Sequence, residues 1–252
     1  MNANSEQILS KVPAVTLAFW IVKILATTLG ETGGDAVSMS MNLGYLTGTA
    51  IFAVIFVIAV IAQIRARKFH PALYWLTIIA STTVGTTLAD YVDRSLGIGY
   101  AGGTALLLVL LLGSLFTWYR SQGSVAVDTV NSPRSEFFYW LTIMFSQTLG
   151  TALGDWTADT AGLGYVGGAV VFGSLLALVV AAYRWTRVSR TTLFWTAFIL
   201  TRPLGAVVGD FLDKPVAKGG LDLSRYTASA TLLVMITVLV FVSRQQPAQR
   251  AH

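Results

Sequence analysis

The chain contains no cysteine, only two histidines and few charged residues, and each shortage excludes a class of protein. Without cysteine, neither a disulfide framework nor a thiolate metal site can form. Charged residues make up 12% of the chain, whereas a soluble domain carries about 25%. A water-soluble globular domain is therefore a poor description of this sequence.

The sequence signatures of conventional enzymes are missing as well. The chain has no His-Glu-x-x-His motif, no phosphate-binding glycine-rich loop and no nucleophile beside a base. His70 and His252 lie outside the apolar segments. We therefore predict that the protein is not an enzyme and carries no cofactor.

Long apolar segments dominate what is present. The mean hydropathy is +0.67, and runs such as YLTGTAIFAVIFVIAVIA and YTASATLLVMITVLVFV are suited to crossing a membrane, which takes about 20 helical residues. We predict an integral membrane protein whose main partner is the lipid bilayer. A pI of about 9.6 would suggest nucleic acid for a soluble chain. Here membrane topology explains the basic residues better, and no nucleic acid partner is expected.

An eight-residue pattern ending in aspartate occurs four times, as TLGETGGD, TVGTTLAD, TLGTALGD and PLGAVVGD. Each copy follows a tryptophan that is itself preceded by Phe or Tyr. A glycine lies ten residues after each tryptophan and an aspartate fifteen residues after it. The recurring residues are Trp20, Trp75, Trp140 and Trp195, then Gly30, Gly85, Gly150 and Gly205, then Asp35, Asp90, Asp155 and Asp210.

Each repeat is interpreted as a pair of helices: an inner helix that carries the octet and a second helix that begins near a Gly-Tyr pair in the first three repeats and near Tyr226 in the fourth. This predicts an all-α membrane protein of eight transmembrane helices, arranged as four parallel two-helix repeats with pseudo-symmetry about the membrane normal. The whole chain, 1–252, forms one membrane domain. Its repeats cover roughly 12–66, 67–121, 135–187 and 188–245, with a cytoplasmic linker at about 121–135. The expected helices are roughly 14–35, 43–63, 71–91, 98–119, 137–156, 164–184, 192–211 and 226–243.

Basic residues set the expected orientation. Eleven of them fall on the side of the termini, and only Arg94, Lys214, Lys218 and Arg225 fall on the octet side. Both termini are therefore expected in the cytoplasm, with the acidic octets on the outer side.

One face of each inner helix is polar, because the residues seven, eleven and fifteen positions after each tryptophan lie within about 80° of it on an ideal helix. These stripes read Trp20-Thr27-Glu31-Asp35, Trp75-Thr82-Thr86-Asp90, Trp140-Gln147-Thr151-Asp155 and Trp195-Arg202-Ala206-Asp210. A polar stripe facing lipid would be costly, so the stripes should face one another. The octet glycines should permit close helix contact, and the tryptophans should serve packing or the membrane interface.

Three charged residues break the repeat. Lys23, Glu31 and Arg202 have no charged counterpart in the other copies. A charge inside the membrane needs a partner, and a carboxylate of a neighbouring stripe is the expected one for Lys23 and Arg202. Such pairs are either structural or belong to a titrating or gating device. Asp93, Asp159 and Asp213 follow the octets and are expected to be exposed.

The Trp-anchored helix pairs resemble a family of bacterial membrane proteins built from four tandem two-span repeats, known only as a repeat of unknown function. The likeness extends from about Thr16 to Ser243 and rests on the aromatic-Trp pairs, the octets and the Gly-Tyr starts. It implies eight spans in a bacterial inner membrane and no settled activity. The fourth repeat departs from the pattern through Pro203, Arg202 and a longer outer loop.

Three functions remain open. The leading one is a membrane transporter, expected to be proton-coupled, whose oxygen-rich site suits a hard divalent cation such as Mg²⁺ or Mn²⁺ as substrate. The expected ion-binding residues are Asp35, Asp90, Asp155, Asp210, Glu31, Thr27, Thr82, Thr86, Gln147 and Thr151, and the five carboxylates among them are the candidate metal ligands. The alternatives are a non-transporting scaffold or sensor with structural ion pairs, and a carrier of a small organic anion held by Lys23 and Arg202.

Overall fold

The computed structural model describes residues 10–249, and within them the chain is helical, with eight long α-helices and a single isolated β-bridge. The helices are α1 (Leu17–Asp35), α2 (Gly44–Arg65), α3 (Pro71–Asp90), α4 (Gly99–Gln122), α5 (Pro133–Asp155), α6 (Gly164–Trp185), α7 (Arg190–Asp213) and α8 (Arg225–Val242). Each begins and ends within four residues of the position that the sequence predicts. The all-helical architecture is confirmed.

Local sequence fixes where several of these helices begin. Thr16 caps α1 by accepting a hydrogen bond from the Phe19 amide, and Ser189 caps α7 in the same way. At α5, Ser132 and Ser135 form a reciprocal capping box, and Pro133 takes the first helical position, where no amide donor is needed. The inner helix of each of the first three repeats continues past its octet aspartate into a five-residue π-helical turn.

The four inner helices α1, α3, α5 and α7 form a closed ring, in which each helix packs against the one before and the one after it. Each outer helix packs against the inner helix of the following repeat, so that α2 lies on α3, α4 on α5, α6 on α7 and α8 on α1. The repeats are therefore interleaved, and no repeat buries its own inner helix alone.

Six helices are long and apolar enough to cross a membrane, namely α2, α3, α4, α6, α7 and α8. Only 11% of the apolar window of α2 is buried, against 72% of the window that begins with α3. The outer helices thus present apolar surfaces to their surroundings. The sequence predicted eight such helices. Helices α1 and α5 fall outside this group, and both carry a polar stripe into the centre of the ring.

One end of the ring is closed by the two ends of the described chain together with the loop between α4 and α5. Ala248 donates a backbone hydrogen bond to Val12, and Lys11 donates one to Val130. The Lys11 ammonium also lies 2.6 Å from Glu136. Val127 and Val130 are buried here, so this part of the loop packs against the bundle.

Candidate functional site

The polar stripes of the four inner helices meet along the axis of the ring. Every residue that the sequence singles out for ion binding or charge pairing is buried, with at most 4% of its surface exposed. These residues are Lys23, Thr27, Glu31, Asp35, Thr82, Thr86, Asp90, Gln147, Thr151, Asp155, Arg202 and Asp210. The ring therefore encloses a polar column, which extends from Lys23 to the octet aspartates.

The octet glycines allow the inner helices to approach closely enough to enclose this column. A methyl group at Gly205 would lie 2.9 Å from the backbone carbon of Thr27, and one at Gly85 would lie 3.0 Å from the backbone of Gln147. At Gly30 it would overlap the Thr82 side chain, and at Gly150 that of Arg202. Each glycine faces the residue seven positions after the tryptophan of the neighbouring repeat, so one contact recurs around the whole ring.

Arg202 lies where all four repeats meet. Its Nη2 atom is 3.0 Å from Oε2 of Glu31 in the first repeat. The same nitrogen donates to Thr86 of the second repeat at 2.5 Å and to Thr151 of the third. The expectation that Arg202 pairs with a carboxylate of a neighbouring stripe agrees with this geometry.

The four octet aspartates form the next level of the column, and two basic residues link them in pairs. Arg94 lies 2.8 Å from Asp90 and 3.2 Å from Asp155. Lys214 lies 3.1 Å from Asp210 and also contacts Asp35. Each basic residue follows its own aspartate by four positions and reaches the aspartate of the next repeat. A third basic residue, Arg225, lies 3.8 Å from Asp35 at the same end of the ring.

Glu31, Asp35 and Asp210 come together as a carboxylate cluster, in which one oxygen of each lies within 4.8 Å of the others. Asp90 and Asp155, which the sequence also predicts as metal ligands, lie outside this cluster and pair with Arg94. Lys214 contacts two members of the cluster. Burial lowers the pKa of its ammonium group, but the neighbouring carboxylates of Asp210, Asp35 and Asp213 together raise that pKa above its ordinary value.

Lys23 differs from the expectation, because its ammonium group pairs with no carboxylate in the described part of the chain. It lies 3.5 Å from the amide oxygen of Gln147 and 4.1 Å from the centre of the Phe198 ring. More than two helical turns separate it from Glu31 on α1, and the acids at that end of the helix pair with Arg202 and Lys214 instead. Lys23 is therefore a buried base held by an amide and an aromatic face.

An aromatic layer closes the column at the opposite end from the aspartates. Three of the four repeat tryptophans are buried, and Trp20 packs beside them. The hydroxyl groups of Tyr74 and Tyr139 share a 2.6 Å hydrogen bond, and the rings of Trp195 and Trp118 meet edge to face. Three of the four tryptophans are thus core packing residues, buried inside the bundle.

Two of the three aspartates that follow the octets are buried, contrary to the sequence prediction. Asp213 is 4% exposed because Arg225 folds over it with 3.0 Å between Nε and Oδ2. Asp93 is 6% exposed, and its carboxylate packs directly against Gly103 of α4. Any side chain at position 103 would occupy the space of this carboxylate. Only Asp159 is exposed as expected.

Arg94 and Lys214 are the site residues that sequence reasoning missed. Both lie nineteen residues after the tryptophan of an even-numbered repeat, whereas the odd-numbered repeats have Met39 and Asp159 at that position. This shared register was a usable signal. The sequence analysis used these two basic residues only to predict the orientation of the helices in the membrane.

Fold and site together define a helical bundle of four tandem helix pairs, with apolar outer helices around a charged axis. A family model described as Repeat of Unknown Function (DUF347) matches the chain four times, at residues 18–69, 73–124, 138–189 and 193–245. The chain belongs to this family, and the resemblance noted in the sequence is confirmed. No curated protein and no solved structure matches the chain.

Proposed function

We propose that the protein is a transporter of a hard divalent cation, such as Mn²⁺ or Mg²⁺, and that protons are its coupling ions. All eight helices would cross a bacterial inner membrane, with both termini in the cytoplasm and the octet aspartates at the outer side. Helices α1 and α5 can cross despite their polarity, because each lies between two inner helices and beneath an outer one.

The observation that carries this function is an excess of acid inside the bundle. Between Lys23 and the octet end of the ring, here called the rim, the described structure contains seven buried carboxyl groups and five basic side chains. The acids therefore exceed the bases by two. The acids are Glu31, Asp35, Asp90, Asp93, Asp155, Asp210 and Asp213, and the bases are Lys23, Arg94, Arg202, Lys214 and Arg225. Two protons or one divalent cation would neutralise this excess, and unpaired charge is costly away from water.

The chemistry of the cluster favours hard cations. Glu31, Asp35 and Asp210 offer carboxylate oxygens, which suit Mn²⁺, Mg²⁺ or Ca²⁺ better than soft metals. The Oδ1 atom of Asp35 is buried and has no hydrogen-bond partner, so it is free to bind a cation. The same oxygens accept protons, which gives protons and metal a shared set of sites.

A structural scaffold is the competing explanation, since each octet aspartate already lies beside a basic side chain. Asp210→Asn separates the two cases, because it removes a ligand of the cluster and leaves Lys214 paired with Asp35. The matched control is Asp159→Asn, which removes an exposed acid on the same side.

The test is the thermal stability of detergent-purified protein titrated with Mg²⁺, Mn²⁺, Ca²⁺ and Zn²⁺ at two pH values, because a ligand that binds only the folded state raises its apparent stability. We expect a saturable shift with a hard cation in the wild type and in Asp159→Asn, and none in folded Asp210→Asn. No shift with any ion, together with an Asp210→Asn variant that fails to fold, would instead support a scaffold.

Lys23 favours a second candidate, a carrier of small organic anions. Its buried ammonium group has no carboxylate partner in the described part of the chain and contacts only the Gln147 amide and the Phe198 ring. An anionic substrate would supply the missing partner. In this case carboxylate ligands would stabilise the wild type, and Lys23→Met would abolish that effect while leaving any response to metals intact.

A further inference from the structure

The two basic residues at the rim occupy equivalent positions but close unequal halves of the ring. Arg94 links Asp90 to Asp155, and Lys214 links Asp210 to Asp35. In both cases the base belongs to an even-numbered repeat and reaches the aspartate of the following one. The rim therefore has approximate twofold symmetry.

The two halves of the rim differ in the residue that lies one helical turn before the octet aspartate. On the Lys214 side, the residue eleven positions after the tryptophan of the following repeat is Glu31, whereas on the Arg94 side it is Thr151. Lys214 therefore contacts two members of a cluster of three carboxylates, whereas Arg94 contacts two carboxylates that have no third beside them. Only the Lys214 side offers three clustered carboxylates, and the buried Oδ1 atom of Asp35 has no hydrogen-bond partner there.

The long outer loop of the fourth repeat holds Lys214 in this place. The amide of Asp222 donates to the Lys214 carbonyl at 2.9 Å, and the amide of Leu223 donates to Leu212 at 2.9 Å. Gly220 lies directly against the Lys214 backbone, so closely that a methyl group there would overlap it. The other three repeats lack this longer loop.

We propose that Lys214 is a tethered competitor that occupies the cation position of the Glu31–Asp35–Asp210 cluster, and that a divalent cation binds there by displacing its ammonium group. This role presupposes the cation site proposed above. In this role the fourth repeat controls access to the site from the octet end of the ring, because the cation enters only when the Lys214 side chain leaves. Arg94, above the hydroxyl of Thr151, would remain in place.

The affinity test compares Mn²⁺ binding to purified wild-type protein and Lys214→Gln by isothermal titration calorimetry. Removing the competitor should tighten binding about tenfold or more, the size of a typical coupling between sites. Lys214→Arg restores a tethered cation and should bind as weakly as the wild type. Lys218→Gln, which changes an exposed lysine on the same loop, should leave the affinity unchanged.

A second measurement needs no variant and therefore does not depend on a variant folding. Acylation of the wild-type lysines, followed by mass spectrometry, should show Lys214 protected without metal and labelled when Mn²⁺ is added. Lys218 should be labelled equally in both conditions.

The outcomes separate the two claims. If Mn²⁺ binds the wild type but Lys214→Gln has the same affinity and Lys214 labelling does not change, the competitor role is wrong and the cation site stands. If neither the wild type nor Lys214→Gln binds any of the hard cations, the cation site fails and the competitor role fails with it.

Discussion

Arg202 and Glu31 form an ion pair in the middle of the bundle, with 3.0 Å between Nη2 and Oε2 and with 0% and 3% of their side chains exposed. The pair joins the last repeat to the first and so closes the ring of inner helices. Thr86 and Thr151 accept hydrogen bonds from the same guanidinium group. This makes Arg202 the one residue that contacts the polar stripes of all the other repeats in the described structure.

Arg202→Met should lower the free energy of unfolding by about 3–5 kcal/mol, because it leaves Glu31 charged and unpaired in the interior. Denaturation of the purified protein in detergent measures this loss. The double variant Arg202→Met/Glu31→Met should recover much of it, since both charges are then gone. A double variant whose loss equals the sum of the two single losses would show that the pair does not act as a unit.

Gly205→Ala should destabilise the protein by about 1–3 kcal/mol, the usual effect of overpacking. The added methyl group would lie 2.9 Å from the Thr27 backbone carbon, where neither helix can move without opening the ring. The control is Gly173→Ala on α6, where nothing lies within 4 Å of the added group. That variant should be neutral or slightly stabilising, and equal losses at both sites would contradict the close approach of α7 to α1.

Tyr74→Phe should reduce stability by about 1–3 kcal/mol, because it leaves the buried hydroxyl of Tyr139 without its partner. The two hydroxyl oxygens are 2.6 Å apart in the aromatic layer. Tyr74→Phe/Tyr139→Phe removes both polar groups and should be more stable than either single variant. Thermal denaturation of the four proteins gives the coupling between them.

Asp93→Ala should preserve or raise stability, whereas Asp213→Ala should lower it. Both carboxylates are buried, but neither oxygen of Asp93 has a hydrogen-bond partner, and Asp213 lies 3.0 Å from Arg225. Removing a buried carboxylate that no hydrogen bond satisfies relieves a desolvation cost. Unfolding midpoints of the two variants test the contrast, and a large loss for Asp93→Ala would reveal a partner role for this residue.

Much of the fold follows from the repeat. The spacing from tryptophan to glycine to aspartate placed the four inner helices and identified which face of each is polar, and the Gly-Tyr starts placed the outer helices of the first three repeats. It also placed the glycines where the inner helices meet. These features depend on helical periodicity and on residue size, which are local properties of the sequence.

The pairing between repeats could not be predicted in the same way. Lys214 reaches Asp35 across 179 positions of sequence, and it does so only because the ring closes α7 against α1. Lys23 lacks a carboxylate partner in the described structure because the next acid along α1, Glu31, is eight positions away and pairs with Arg202. The burial of Asp93 depends on which outer helix covers its side of α3. Each of these outcomes is set by how the repeats interleave, a property of the assembled bundle.

The most direct test of the central claim is uptake of Mn²⁺ into proteoliposomes that hold a metal-sensitive dye and a separate pH-sensitive dye. The account predicts saturable Mn²⁺ entry with proton movement in the opposite direction, lost in Asp210→Asn and retained in Asp159→Asn. Liposomes with folded wild-type protein that admit no Mn²⁺, Mg²⁺ or Ca²⁺ above the protein-free background would contradict it.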